Sequence, residues 1–119
     1  MNNESWFWNI IEQAAKDEEK LYSILSELRK KDILEFQTMF VDFSVELQDE
    51  PYTDYMEESE DGIEDIANWI VSNGKEYYEM ILENPKKTPH SVEDKVHEIL
   101  YGVADEVFLE LFGESTGIY

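Results

Sequence analysis

"DGIEDIANWIVSNG", residues 61–74, decides the fold because it carries a start, a period and a stop. Ile63, Ile66, Ala67 and Ile70 recur at the i, i+3, i+4, i+7 spacing of a helix that buries one face. Asp61, with Glu64 three residues on, predicts the amino end, and Gly74 stands where a left-handed C-cap is wanted. Upstream, Asn3 as cap predicts a first helix through "SWFWNIIEQAAK", with Phe7, Ile10, Ile11 and Ala14 as its buried stripe. Asp17 then caps "EEKLYSILSELRK" with Leu21, Ile24, Leu25 and Leu28 inward, and Asp32 with Glu35 opens "ILEFQTMFVDFSVEL". Pro51 interrupts the chain beyond that helix, and 49–60 reads as loop or short helix.

Downstream, "KEYYEMILEN" is closed by Pro85, and "PKKTPHS" is a linker too short to divide domains. Ser91 with Asp94 then predicts one long helix, in which Val92, Val96, Ile99, Leu100, Val103, Val107, Phe108 and Leu111 form a continuous apolar face up to Gly113. On this reading Gly102 lies inside a helix for the sake of close packing. No segment reads as a strand. The expected fold class is all-α, a compact bundle of five to seven helices with short loops, and the expected organisation is a single α-helical domain over 1–119. A chain of this length buries enough surface to need no metal or disulfide staple.

The composition excludes whole classes of function. With 29 acids against nine bases and a formal charge of -20, the surface repels a phosphate backbone, so direct nucleic-acid binding is not expected. No apolar run approaches membrane-spanning length, and "MNNESWFWNII" lacks the features of a signal peptide, so no membrane partner and a cytoplasmic location are expected. The absence of Cys removes thiolate nucleophiles and Cys-based zinc sites.

Catalytic and metal motifs fare no better. "EESEDGIEDIAN" places Gly62 at the turn of a calcium loop, but Glu57 replaces the starting Asp and Asn68 replaces the closing bidentate Glu. His97 lies on one face with Glu93 and Asp94 before it, a single copy of a motif that di-iron bundles need twice. The serines lack a nucleophile-elbow context, and the scattered glycines make no phosphate loop. No catalytic residue, cofactor or metal ligand is therefore assigned, and the chain is read as a non-enzyme. Of Trp6, Phe7 and Trp8, at least one must be partly exposed, since neighbours on a helix diverge by about 100 degrees.

Three stretches, taken in order, carry a family resemblance. Phe7-Trp8 followed by "NIIEQA", then "SEDGIEDIANWIVSNGKEYYEMILENP", then "ADEVFLELFG" resemble the bacterial family catalogued as "domain of unknown function 4240". Its signature aligns with Ser59, Glu60, Asp61, Gly62, Trp69, Gly74, Tyr78 and Pro85. Where the family usually has Gly-Gly-Cys, this chain has Met56-Glu57-Glu58, and where it often has Arg, this chain has Ala67. The resemblance implies an α-helical bacterial intracellular domain and brings no established chemistry.

The charge pattern is the feature that bears on function. From Asp32 through Gly74 there are thirteen acids, Asp32 included, and no Lys or Arg, whereas a merely solubilising surface interleaves both signs. Tyr52, Tyr55 and Met56 add apolar anchors to that field. The expected partner surface is Asp49, Glu50, Tyr52, Asp54, Tyr55, Glu57, Glu58, Glu60 and Asp61, facing a basic protein such as a toxin or nuclease domain. The leading reading is an immunity-type inhibitor. The alternatives are a solvated acidic loop, a regulatory or adaptor domain, and a metal-dependent accessory enzyme using Glu60 and Asp61.

Overall fold

A computed structural model of the chain describes residues 3–57 and 59–118. Six α-helices occur among them: α1 Asn3–Ala14, α2 Glu18–Ser26, α3 Lys30–Glu46, α4 Glu60–Ser72, α5 Lys75–Glu83 and α6 Val103–Phe112. Short 3-10 turns cover Tyr52–Tyr55, Pro85–Lys87 and Glu93–Glu98, and no strand occurs among the described residues. The all-α bundle expected from the hydrophobic period is thus observed. No helix among these residues is long and apolar enough to cross a membrane.

The helix starts follow the physics of unsatisfied N–H groups, though not always at the expected residue. Asp17 caps α2 as expected, its carboxylate accepting from Glu19 N at 2.9 Å and Lys20 N at 3.2 Å. α1 stops at Ala14 rather than continuing through Lys16, because Ala15 and Lys16 adopt positive φ of 50 and 60 degrees to turn the chain toward that cap. α3 begins two residues ahead of Asp32. Arg29 is the extended residue before it, and Asp32 serves the first turn, accepting from Arg29 Nε at 3.3 Å. An acid there still favours the positive end of the helix dipole. In α4 the cap is Ser59, not Asp61: Ser59 Oγ accepts from Gly62 N at 3.0 Å.

The core is strongly aromatic. Phe7, wholly buried, lies 4.8 Å from the Phe36 ring, 5.0 Å from Trp8 and 5.3 Å from Phe43. Trp8 reaches on to Tyr78 at 5.3 Å, and the Tyr78 hydroxyl donates to the Phe43 carbonyl at 2.9 Å. These contacts tie α1, α3 and α5 together. Trp6 is the partly exposed member of the aromatic triplet, resting edge-on against Phe36. On the other side α6 packs against α2 and α3, while α3 and α5 flank α4.

The long last helix expected from 91 to 113 is not formed. Its first half is the 3-10 turn Glu93–Glu98, Ile99 is extended, and Gly102 turns the chain into α6 at φ 96 degrees. The apolar face is broken accordingly: Val92, Leu100, Val103, Val107 and Phe108 are buried, but Val96 and Leu111 are about half exposed. The break has a tertiary cause. Leu100 N donates to Ser72 Oγ of α4 at 2.9 Å, a bond that requires the chain to leave helical geometry there. Gly102 is therefore a hinge between elements and not a packing glycine, since nothing lies within 4 Å of where a Cβ would sit.

Stability measurements test both the core and the break. Phe7→Ala should destabilise by about 3–5 kcal/mol in urea titrations, the cost of removing a buried aromatic side chain. Gly102→Ala should destabilise by about 1–2 kcal/mol because the left-handed backbone disfavours a Cβ. A continuous helix would instead gain about 1 kcal/mol from that change, so the sign alone tests the break.

Candidate functional site

The acidic segment between α3 and α4 is laid across the surface by contacts at both ends. α3 ends at Glu46, the Glu50–Pro51 peptide is cis, and the Tyr52–Tyr55 turn packs on the turn Pro85–Lys87. Glu57 N donates to the His90 carbonyl at 2.9 Å, and His90 Nδ1 lies 3.3 Å from the Tyr55 carbonyl oxygen.

The predicted contact residues do not behave alike. Asp49, Glu50, Asp54, Glu60 and Asp61 are exposed or partly so, as is Tyr55. Tyr52 is only partly accessible because it packs against the hydrophobic core. Met56 is buried within that core, so it belongs to the fold and offers no surface anchor. Glu58 lies outside the described residues. Glu57 is half-buried: its carboxylate accepts from Ser59 Oγ at 2.9 Å and fills the space that a Cβ on Gly62 would need.

Of these residues, Glu57 and Asp61 are brought to a common notch. It has a volume of about 240 Å³ and adds Asp65, Glu93, Val92 and Val96 to its walls. Reading along the chain misses Asp65, although its i, i+4 spacing from Asp61 places both on one helix face. Glu93 comes from a distant segment and leaves no local signal. Partial burial, then the negative charges of Asp61 and Glu57, hold the Asp65 carboxyl above its ordinary range. Four carboxylates, the buried Val92 and the half-exposed Val96 line a negative recess with an apolar part to its wall.

The fold also alters the charge balance seen in the sequence. The turn carrying Lys86 and Lys87 packs beside the turn carrying Asp54, so positive charge stands next to the Asp49–Asp54 part of the tract. Ion pairs among the described residues join Lys16 to Glu98, Arg29 to Asp32, Lys30 to Glu114 and Lys95 to Asp94. None of them engages an acid between 46 and 65. Among the described residues, no group of three or more His, Asp or Glu side chains is arranged to hold a metal ion.

The positions that carry the family resemblance are largely structural here. Ser59 caps α4, Gly62 lies under Glu57, and Gly74, at φ 103 degrees, joins α4 to α5. Trp69 Nε1 donates to Glu98 Oε1 at 3.0 Å, with Lys95 Nζ 5.5 Å above its ring. That indole bond, more than the nearby cations, holds the Glu98 carboxyl below its ordinary range. Tyr78 closes the aromatic core, and Pro85 comes just after the end of α5. Glu60 and Asp61 are the exposed acids of the set.

No curated protein and no solved structure matches the chain. A family model described as "Protein of unknown function (DUF4240)" matches residues 1–111. With that span of the 119 residues covered, from the aromatic triplet of α1 into the last turn of α6, the chain belongs to the DUF4240 family.

Proposed function

We propose that this protein is a non-enzymatic binding protein whose acidic face docks on a basic protein surface, as an immunity-type inhibitor covers a toxin or nuclease domain. The observation that carries the reading is that the described acids between Asp49 and Asp65 enter none of the ion pairs among the described residues. Their charge is available to a partner. Steering by such a field raises the rate of encounter, and the notch between Asp61, Asp65 and Glu93 would receive a protruding cationic side chain. Tyr55 is the aromatic residue of the tract that stands exposed enough to be covered on docking. In this mechanism no bond is made or broken.

Affinity capture of proteins from the native host at low salt tests the reading. The captured partner should be basic, and its affinity should fall by at least about tenfold as the screening length shrinks from about 10 Å at 0.1 M salt to about 3 Å at 1 M. Replacing Asp49, Glu50, Asp54, Glu57 and Glu58 by their amides should weaken the same complex. A salt-insensitive complex, unchanged capture by the amide variant, or only acidic or nucleic-acid partners would overturn the proposal.

Association should also depend on pH. A cation docked in the notch favours ionised Asp65, whose proton is held more tightly in the free protein than by an ordinary carboxyl. Binding then releases a proton, so affinity should decline as pH falls from about 7 toward about 4. Asp65→Asn should flatten that decline.

A further inference from the structure

A second recess, distinct from the acidic notch and independent of the docking proposal, opens between α3 and α4. Its volume is about 210 Å³, and Ser44, Gln48, Asn68, Glu64, Val45 and Tyr101 contribute to its walls. Unlike the notch, it is built on buried polar side chains: Ser44 is 2% exposed and Asn68 7%. Gln48 Nε2 donates to Ser44 Oγ at 3.0 Å, and Ser44 Oγ donates to Asn68 Oδ1 at 2.6 Å.

That second distance fixes the sense of the chain. It suits an O–H···O bond and is short for an N–H donor, so the Asn68 oxygen faces Ser44. The Asn68 amide nitrogen is left with two N–H donors that meet no acceptor among the described residues. No buried side-chain nitrogen or oxygen among the described residues lacks a partner, so this nitrogen opens onto the recess, where its N–H groups can meet an incoming acceptor. Polarisation along the Gln48, Ser44, Asn68 relay strengthens those donors further. One helical turn before Asn68, on the same face, the exposed Glu64 offers a carboxylate acceptor.

A ligand that satisfies both must present an acceptor to Asn68 and a donor to Glu64, and must tolerate the apolar side of Val45. An ammonium or guanidinium has no acceptor for Asn68. A carboxylate has no donor for Glu64 and is repelled by it. A neutral primary carboxamide has both groups on one planar edge. We propose that this recess is a binding site for a primary carboxamide, carried either by a small molecule or by the side chain of Asn or Gln in a peptide.

The test is a set of titrations followed through the side-chain amide signals of Asn68 and Gln48 in 1H–15N spectra of the full chain. Propionamide should shift these signals saturably, while propionate and propylammonium should not. Val45→Trp, which closes the mouth from an exposed position, should weaken propionamide binding by about tenfold or more and leave the fold intact. Asn68→Asp, which keeps the acceptor for Ser44 and removes the N–H donors, should do the same wherever its spectrum remains native. Capped glutamine binding at least as well as propionamide would assign the site to a peptide side chain; propionamide binding without capped glutamine would assign it to a small amide. No saturable shift with propionamide, tighter binding of propylammonium, or binding unchanged by Val45→Trp would overturn the proposal.

Discussion

A helix buried on every side must find partners for its polar side chains inside the protein, and the second half of α4 is under that constraint. Seven consecutive residues, Ile66 to Ser72, are buried, although two of them, Asn68 and Ser72, are polar. Their oxygens are met within the fold: Asn68 Oδ1 by Ser44 of α3, and Ser72 Oγ by the N–H of Leu100, with Ser72 Oγ itself donating to the Asn68 carbonyl at 2.8 Å. Losing one such partner strands a buried polar group at a cost of about 1–3 kcal/mol. The positions of α3 and of the 99–102 segment are thus set by hydrogen bonding to α4 as well as by apolar contact. The aromatic cluster of Phe7, Trp8, Phe43 and Tyr78 then closes the bundle from the side of α1 and α5.

This division explains what can be read along the chain. Helix existence is legible wherever the apolar period is long and flanked by a cap, as in the Leu21 and Leu25 stripe after Asp17, because those signals are local. The final segment misleads for the opposite reason. Its period from Val92 to Leu111 is genuinely helical, and only the bond from Leu100 to Ser72, 28 residues away, shows why the chain must break. Cap positions slip by two or three residues at Ser59 and Arg29 because an acid in the first turn and an acid at the cap both favour the same helix end. Met56 misleads because adjacency to acids says nothing about which way a side chain points.

The candidate surface is half legible for a similar reason. Density of charge is a property of sequence, but compensation of charge is a property of space. Lys86 and Lys87 reach the Asp54 turn only through the packing of two 3-10 turns, and Glu93 joins Asp61 and Asp65 only through the turn that precedes the break. The recess over Asn68 leaves no trace along the chain at all. In sequence, Asn68 is the residue that spoils a calcium loop, and its burial against Ser44 depends on where α3 lies.

The placement of the acids is not neutral with respect to folding. Like charges at Glu57, Asp61 and Asp65 repel, and that repulsion adds to burial in raising the Asp65 carboxyl. Yet Glu60 and Asp61 occupy the first turn of α4, where exposed N–H groups and the helix dipole favour negative charge by about 0.3–1 kcal/mol each. Ser59 holds Glu57 against the same helix end while capping it. The helix that organises the core therefore also steadies the first acids of the tract, and the two roles meet at one terminus. A repulsive cluster held on a rigid, capped helix end presents its field in a fixed direction. A partner meeting it would lose little conformational freedom in the acids it engages, which is the condition under which surface charge contributes to specific docking.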